Sequence, residues 1–130
     1  MKETVLMFGG IFGALAVIFG AFGAHALKNI FDPEQQKSFE TGVKYQMYHA
    51  LLLIICGIIF PFLETTQVVM GWCLILGVIL FSFSIYGLCL SGARGRKLKF
   101  LGPVTPLGGL LLLTGWIVLT YNMMKYSVYL

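Results

Sequence analysis

Two histidines and five uncharged polar side chains are the residues of this chain best suited to chemistry. They lie in or beside long apolar stretches, where polar side chains are scarce and tend to be functional. The seven are His25, Gln46, His49, Ser82, Ser84, Tyr86 and Thr105. Imidazoles bind haem iron or transition metals and exchange protons near neutral pH. The set therefore indicates ligand binding or proton handling, with hydrogen bonding between helices as the structural alternative.

Four apolar stretches must position these residues. The chain has 130 residues, of which 58% are hydrophobic and 11% charged, against about 45–50% and about 25% in soluble domains. This balance excludes a soluble enzyme, a disordered chain and a disulfide-rich secreted domain. Each stretch is long enough to cross a membrane as a helix. We predict an all-α, single integral membrane domain over 1–130 with four transmembrane helices, at about 5–27, 45–63, 68–90 and 100–121.

The predicted topology brings the seven polar residues to one depth. Helices one and three run opposite to helices two and four, so His25, His49, Tyr86 and Thr105 all fall in the same half of the membrane. A shared level on four helices is expected of a ligand pocket, and equally of a polar plug that only joins the helices.

The motifs do not favour an enzyme. His25 and His49 on adjacent helices can be pictured as ligands to one haem iron, but the spans contain no carboxylate to support a metal site. Cys56, Cys73 and Cys89 form no CxxC pair and are interpreted as small buried apolar residues. The sequence shows no nucleophile–base pair, phosphate loop or zinc signature. We predict no metal and no cofactor, with haem as the open alternative.

Basic residues predict the orientation. Seven cations fall in or beside the 1–2 and 3–4 connections, and only two, Lys2 and Lys125, fall on the side of the termini. The seven are Lys28, Lys37, Lys44, Arg94, Arg96, Lys97 and Lys99. The positive-inside rule then predicts a multi-pass protein of the plasma (inner) membrane with both termini outside. Arg94, Arg96, Lys97 and Lys99 are also candidates for binding anionic lipid headgroups. Nucleic acid is not an expected partner, because these residues sit beside membrane segments.

Three local patterns complete the expected architecture. Asp32, Pro33 and Gln35 predict a capped short helix over 33–41, lying on the membrane interface with Phe39 resting on lipid. It either ends at Gly42 or bends there into the second span.

The first span carries small residues suited to close helix packing, at the middle of the bundle or between subunits of a homo-oligomer. These are Gly9, Gly13, Ala16, Gly20 and Gly23.

Thr105 and Pro106 predict the start of the fourth continuous helix, which would run to about Asn122. Pro103 and Pro106 argue against a continuous helix from Phe100, because proline lacks an amide proton. A helix start below the membrane surface can hold an anion or a polar ligand group. An ordinary capped helix start is the alternative.

Several of these strings together resemble one known family. They are GAFGAHAL at 20–27, FETG at 39–42 with Tyr45, Gln46 and His49, the stretch 102–109, and Gly115-Trp116. The chain is similar over nearly its whole length to the domain of unknown function 423 family of small bacterial membrane proteins. The resemblance implies the architecture above and a bacterial inner membrane, but no reaction or cofactor. We expect a small oligomeric transporter, channel or sensor component for a small molecule or ion. The alternatives are a haem or redox protein and a structural or assembly factor.

Overall fold

The computed structural model describes residues 1–127, and every regular element in that range is helical. The helices are α1 (Lys2–Ala24), α2 (Pro33–Ile59), α3 (Thr65–Val78), a π-helical turn (Ile79–Phe83), α4 (Ser84–Ala93), a 3-10 turn (Lys99–Leu101) and α5 (Val104–Ser127). The turn joins α3 and α4 into one third span. Within residues 1–127, four helices are long and apolar enough to cross a membrane, which confirms the predicted four-helix bundle.

The chain folds as two antiparallel hairpins, α1 with α2 and the third span with α5. In the first hairpin, a Cβ atom built on Gly23 would lie 2.9 Å from the Phe39 ring, and one built on Gly9 would lie 2.8 Å from Ile54. Residues far apart along α1 thus meet residues correspondingly far apart along α2. Such close approach supplies packing energy that lipid does not provide through the hydrophobic effect.

The third span, and not the first, occupies the middle of the bundle. Half of its apolar window is buried, against 22% for α1. Its small residues serve two neighbours, since Gly71 lies against Val5 of α1 and Gly77 against Leu112 of α5. The expected central position of α1 is therefore wrong. Its small residues Gly9, Gly13, Gly20 and Gly23 all face α2, which leaves the other side of α1 exposed.

The predicted helix over 33–41 exists, and of the two outcomes expected at Gly42 it takes the second, continuing into the second span. Its capping box forms, because Asp32 Oδ1 accepts from the Gln35 amide at 2.7 Å and Gln35 Oε1 accepts from the Asp32 amide at 3.1 Å. The helix then continues to Ile59 as α2. A Cβ atom on Gly42 would lie 2.8 Å from the Tyr86 ring, so this glycine permits packing and does not end a helix. Phe39 is 2% exposed and packs on Tyr86, so its expected position on the membrane surface is wrong.

The continuous helix of the fourth span begins earlier than the predicted Pro106 and ends later than the predicted Asn122. α5 starts at Val104, so Thr105 and Pro106 lie in its first turn, where a missing amide proton breaks no helical bond. The Thr105 hydroxyl hydrogen-bonds Ser84 at 2.6 Å and is not the predicted cap. A Cβ atom on Gly108 would lie 2.3 Å from the Phe81 backbone nitrogen, so the π-helical turn fills the space beside it. The Gly108 backbone is therefore not accessible, as had been expected, whereas the start of α5 at Thr105 borders an open cavity.

The two basic connections lie at the same end of the bundle, as the topology requires. Cys89 Sγ donates to the Gln35 carbonyl at 3.5 Å, which places the end of α4 beside the start of α2. We call this the basic end, defined by residues 25–32 and 94–98. The opposite end carries Met1, the 60–64 connection and the end of α5.

Candidate functional site

Gln46 and Tyr86 form a buried hydrogen-bonded pair between α2 and α4. Gln46 is fully buried and its Oε1 accepts from the Tyr86 hydroxyl at 2.7 Å. Its Nε2 donates to the Phe12 carbonyl of α1 at 2.8 Å. Ser82, also fully buried, donates to the Gly42 carbonyl at 2.7 Å. These residues link three spans, and their main hydrogen-bonding groups are occupied by protein.

His49 is a neutral cross-link between α2 and α5. Trp116 Nε1 lies 3.1 Å from His49 Nε2, and His49 Nδ1 lies 2.7 Å from the Tyr45 carbonyl oxygen. An indole nitrogen only donates, so Nε2 must be the unprotonated acceptor and Nδ1 must carry the proton donated to Tyr45. A metal or second proton at Nε2 would have to break the Trp116 bond. His49 is thus fully engaged in helix packing.

His25 lies far from His49. It follows α1 directly, with an exposed side chain at the basic end. Gly23 packs against Phe39, so His25 lies level with the first turns of α2. His49 is ten residues beyond Phe39, or about 15 Å along a helix that rises 1.5 Å per residue. Two nitrogens bound to one metal stand within about 4 Å of each other, since each metal–nitrogen bond is about 2 Å. The alternative of joint haem ligation by these two histidines is therefore contradicted by their separation.

Ser84 and Thr105 form a third, separate polar contact. Their hydroxyl oxygens are 2.6 Å apart, and Ser84 also donates to the Phe81 carbonyl at 2.9 Å. The expected cluster of seven residues is thus divided into a Gln46–Tyr86–Ser82 group, a His49–Trp116 pair, a Ser84–Thr105 pair and an isolated His25. Of the seven, Thr105 lines an open cavity with polar walls.

This cavity is a cleft of about 520 Å³ at the basic end. The first turns of α2 form one wall, Ile85, Leu88 and Cys89 of α4 form another, and the start of α5 closes the floor. We call it the basic-end cleft. Its polar lining comprises Asp32, Glu34, Gln35, Ser38, Thr41, Lys97 and Thr105.

Only part of this lining is hydrogen-bonded within the protein. Asp32 and Gln35 bond each other in the capping box, and Thr41 donates to the Lys37 carbonyl at 3.0 Å. Within residues 1–127, the side chains of Glu34, Ser38 and Lys97 have no hydrogen-bond or ion-pair partner. All three side chains are exposed, and Glu34 and Lys97 carry opposite charges. The cleft can therefore offer a carboxylate, a hydroxyl and an ammonium group to a polar molecule.

The sequence predicts Asp32 and Gln35 in the helix cap and Lys97 at lipid, and it predicts no role for Ser38 or Thr41. The signal was the polar stretch 32–41, which was interpreted as a solvated surface of an interfacial helix. Its packing beside α4 converts that surface into a wall of the cleft.

A further polar cluster at the opposite end was also missed. The Thr66 hydroxyl donates to Asn122 Oδ1 at 2.7 Å, and Asn122 Nδ2 lies 3.7 Å from Met70 Sδ. Lys125 pairs with Glu64 at 2.6 Å beside them. These contacts join the third span to α5, much as Ser84 and Thr105 do at the basic end.

The described residues contain no group of three or more His, Cys, Asp or Glu side chains placed to hold a metal ion. The three cysteines are free thiols within the spans, Cys56 and Cys89 buried and Cys73 partly exposed.

The fold and its sites define a four-helix integral membrane protein. A family model described as protein of unknown function (DUF423) matches residues 19–109, and the chain belongs to this family. Among its relatives is a UPF0382 membrane protein of Staphylococcus haemolyticus, 38% identical over 97% of this chain and 98% of the relative. The UPF0382 membrane protein YwdK of Bacillus subtilis is 36% identical over 97% and 99%.

A UPF0382 membrane protein of the fission yeast Schizosaccharomyces pombe is 40% identical over 87% of this chain and 95% of the relative. Relatives of this chain therefore also occur outside bacteria, whereas the resemblance implied a bacterial protein. These names confirm an integral membrane protein of an uncharacterised family. No solved structure matches the chain.

Proposed function

We propose that this protein binds a small polar molecule in the basic-end cleft, as a transport or sensing component of the membrane. The observation that carries the proposal is the set of unpaired side chains, Glu34, Ser38 and Lys97, in one cleft. Its volume of about 520 Å³ lies within the range of about 300–1,000 Å³ usual for small-molecule sites.

The charges of the cleft favour an amphoteric ligand. Glu34 supplies a carboxylate for an ammonium or other donor group, and Lys97 supplies an ammonium for a carboxylate or carbonyl. The apolar walls at Ile85 and Leu88 fit the carbon skeleton of such a molecule. A small amino acid or amino-acid-like solute has this combination of groups.

Sensing requires fewer rearrangements than transport. A buried apolar core that includes Leu53, Leu74 and Leu112 lies within the bundle beyond the cleft floor. A transported molecule would need this core to open, or a path between copies in a homo-oligomer. The homo-oligomer expected from the sequence therefore belongs to the transport version of the proposal.

We infer that the cleft opens to the cytoplasm from a plasma (inner) membrane location. The basic loops lie at its mouth, and the positive-inside rule assigns such loops to the cytoplasm with both termini outside.

The test uses Ser38→Cys in a background with the three native cysteines replaced by alanine. A membrane-impermeant maleimide should label it rapidly in inside-out vesicles and slowly in right-side-out vesicles. Lys2→Cys, at the opposite end, is the matched control and should show the reverse. A reversed pattern for both would overturn the orientation and leave the cleft untouched.

Binding is then measured by protection. Single amino acids and small diamines are added one at a time, and labelling of Ser38→Cys is timed. At least one should slow labelling, and Glu34→Gln should remove that protection while Glu3→Gln should keep it. Protection that survives Glu34→Gln would contradict the assigned site.

The second candidate is a structural or assembly factor without a ligand. The engagement of Gln46, Tyr86 and His49 in helix-to-helix hydrogen bonds favours it. It would replace the first proposal if no compound of the panel protected Ser38→Cys. A haem protein is not proposed, because His25 and His49 lie too far apart to bind one iron.

A further inference from the structure

Away from the polar cleft, the outer side of the basic end carries a groove whose lining has no polar surface. Its volume is about 460 Å³. Phe19 and Phe22 of α1 form one wall, Tyr86 and Leu90 of α4 form the other, and Phe39 of α2 lies between them. The two walls touch where the Phe19 and Tyr86 ring centroids are 5.0 Å apart. Farther out, Phe22 of α1 is 55% exposed and Leu90 of α4 is 38% exposed, so the groove opens sideways, toward lipid.

A basic pocket of about 510 Å³ adjoins the groove. Leu90 lines both cavities, and Arg94 and Arg96 line the second. Gly95, with φ of 72°, makes the turn between the two arginines, a conformation that glycine adopts without strain. The Ser91 hydroxyl accepts from the Leu98 amide at 3.1 Å and fastens the loop behind them.

The charges in this pocket are uncompensated. Within residues 1–127 neither arginine pairs with a carboxylate, and their side chains make no hydrogen bond to protein. Guanidinium groups bind phosphate through two parallel hydrogen bonds. The pocket therefore favours an anion with phosphate chemistry.

The two cavities lie in the order that a phospholipid requires. Phe83, Leu90 and Arg94 follow one another on the third span, from within the bundle toward the basic end. Phe83 and Arg94 are eleven residues apart, or about 16 Å along the helix. The apolar part lies within the span and the cationic part at its end, so hydrocarbon and phosphate can be bound together.

We propose that an anionic phospholipid occupies this composite site, with an acyl chain in the aromatic groove and its phosphate at Arg94 and Arg96. Of the four basic residues that the sequence predicts to bind lipid headgroups, the proposal keeps only the two arginines. Lys97 lines the polar cleft, and Lys99 lines neither cavity of the lipid site. The site is independent of the solute-binding proposal.

The test is native mass spectrometry of the full chain released from detergent micelles with equal amounts of phosphatidylglycerol and phosphatidylcholine of the same acyl chains. We expect about a twenty-five-fold excess of bound phosphatidylglycerol, because each of the two arginines contributes on the order of fivefold in affinity for an anionic lipid. The double variant Arg94→Gln/Arg96→Gln should bring the two lipids to near equality. Equal binding of both lipids by the unmodified chain would overturn the proposal.

Lys97→Gln/Lys99→Gln is the matched control, since it removes the same charge from the same loop. It should retain the preference, and an equal loss in both double variants would show unspecific attraction by surface charge, against the proposal. Circular dichroism in the same micelles verifies that each variant keeps its helices.

Two further arms separate the lipid from free phosphate. Inorganic phosphate in large excess should not displace phosphatidylglycerol, and displacement would assign the pocket to a soluble anion instead.

Leu90→Trp places a larger side chain in the wall shared by the two cavities. It should lower binding of long-chain phosphatidylglycerol severalfold, and unchanged binding would exclude the groove as the acyl-chain site.

Discussion

The polar groups in the middle of the bundle and those of the basic-end cleft differ in how completely they are hydrogen-bonded. Gln46, Tyr86 and His49 are paired with groups on other helices. Glu34 and Lys97 have no partner within residues 1–127. An unpaired polar group in hydrocarbon costs several kcal/mol, whereas one at a water-filled end is hydrated until a ligand replaces the water. A polar residue in a span therefore indicates a ligand site only when its hydrogen bonds are incomplete.

The largest effect is expected from breaking the packing that supports both regions. Gly108→Ala places a Cβ atom 2.3 Å from the Phe81 backbone nitrogen, and backbone cannot yield as a side-chain tip can. We expect a loss of about 3 kcal/mol in the free energy of unfolding, or failure to fold. Unfolding in mixed micelles of mild detergent and dodecyl sulfate measures it.

Gly109→Ala is the control for that substitution. Its Cβ atom would lie 3.8 Å from the Phe81 ring, an ordinary contact. It should change stability by less than about 0.5 kcal/mol. Similar losses from both substitutions would contradict the assigned role of the contact with the π-helical turn.

The second-largest effect is expected from breaking the buried hydrogen bond between Gln46 and Tyr86. Gln46→Leu leaves the buried Tyr86 hydroxyl without its acceptor and should cost about 1–2 kcal/mol of unfolding free energy. Adding Tyr86→Phe should recover part of the loss, because both ends of the bond are then absent. A double-mutant cycle measures the coupling. Strict additivity would show that the pair is not a cross-link.

A smaller loss is expected for the partly exposed pair. Trp116→Phe removes the donor to His49 Nε2 and should cost about 0.6 kcal/mol, the average for hydrogen bonds between membrane helices. Trp72→Phe is the matched control, since Trp72 is 43% exposed against 47% for Trp116. Equal losses in the two variants would remove the argument that the His49 bond matters.

The smallest effect on stability is expected in the cleft. Glu34→Gln should change the unfolding free energy by less than about 0.5 kcal/mol, because the side chain is exposed and unpaired. The same variant should abolish protection of Ser38→Cys by ligand. A large stability loss would show that Glu34 is structural and would remove the contrast between the two regions.

The number of spans was predictable because hydropathy is a local property. The third span agrees closely with its prediction, Thr65–Ala93 against 68–90. The helix of the second span starts at Pro33 and not at 45, because the capped helix predicted over 33–41 continues through Gly42, where it packs on α4. No local pattern records that contact.

The candidate site was predictable only in part, since its walls come from distant segments. Thr105 was correctly expected at the basic end, but its partner Ser84 is 21 residues away in sequence. His49 was interpreted as a possible ligand because Trp116, 67 residues later, could not be recognised as its donor. Glu34 and Ser38 line the cleft because α2 is one continuous helix whose first turns lie beside α4.

The order of apolar and charged residues is enough to predict that the chain crosses a membrane as four helices, with its basic loops at one end. This prediction is possible because hydrocarbon excludes charges and requires each backbone amide to hydrogen-bond within its own segment. The tertiary structure decided which polar side chains are paired and which face a cavity. That choice depends on the rotation and register of each helix against its neighbours, and these are set by close contacts such as Gly108 on Phe81 between residues far apart in the chain.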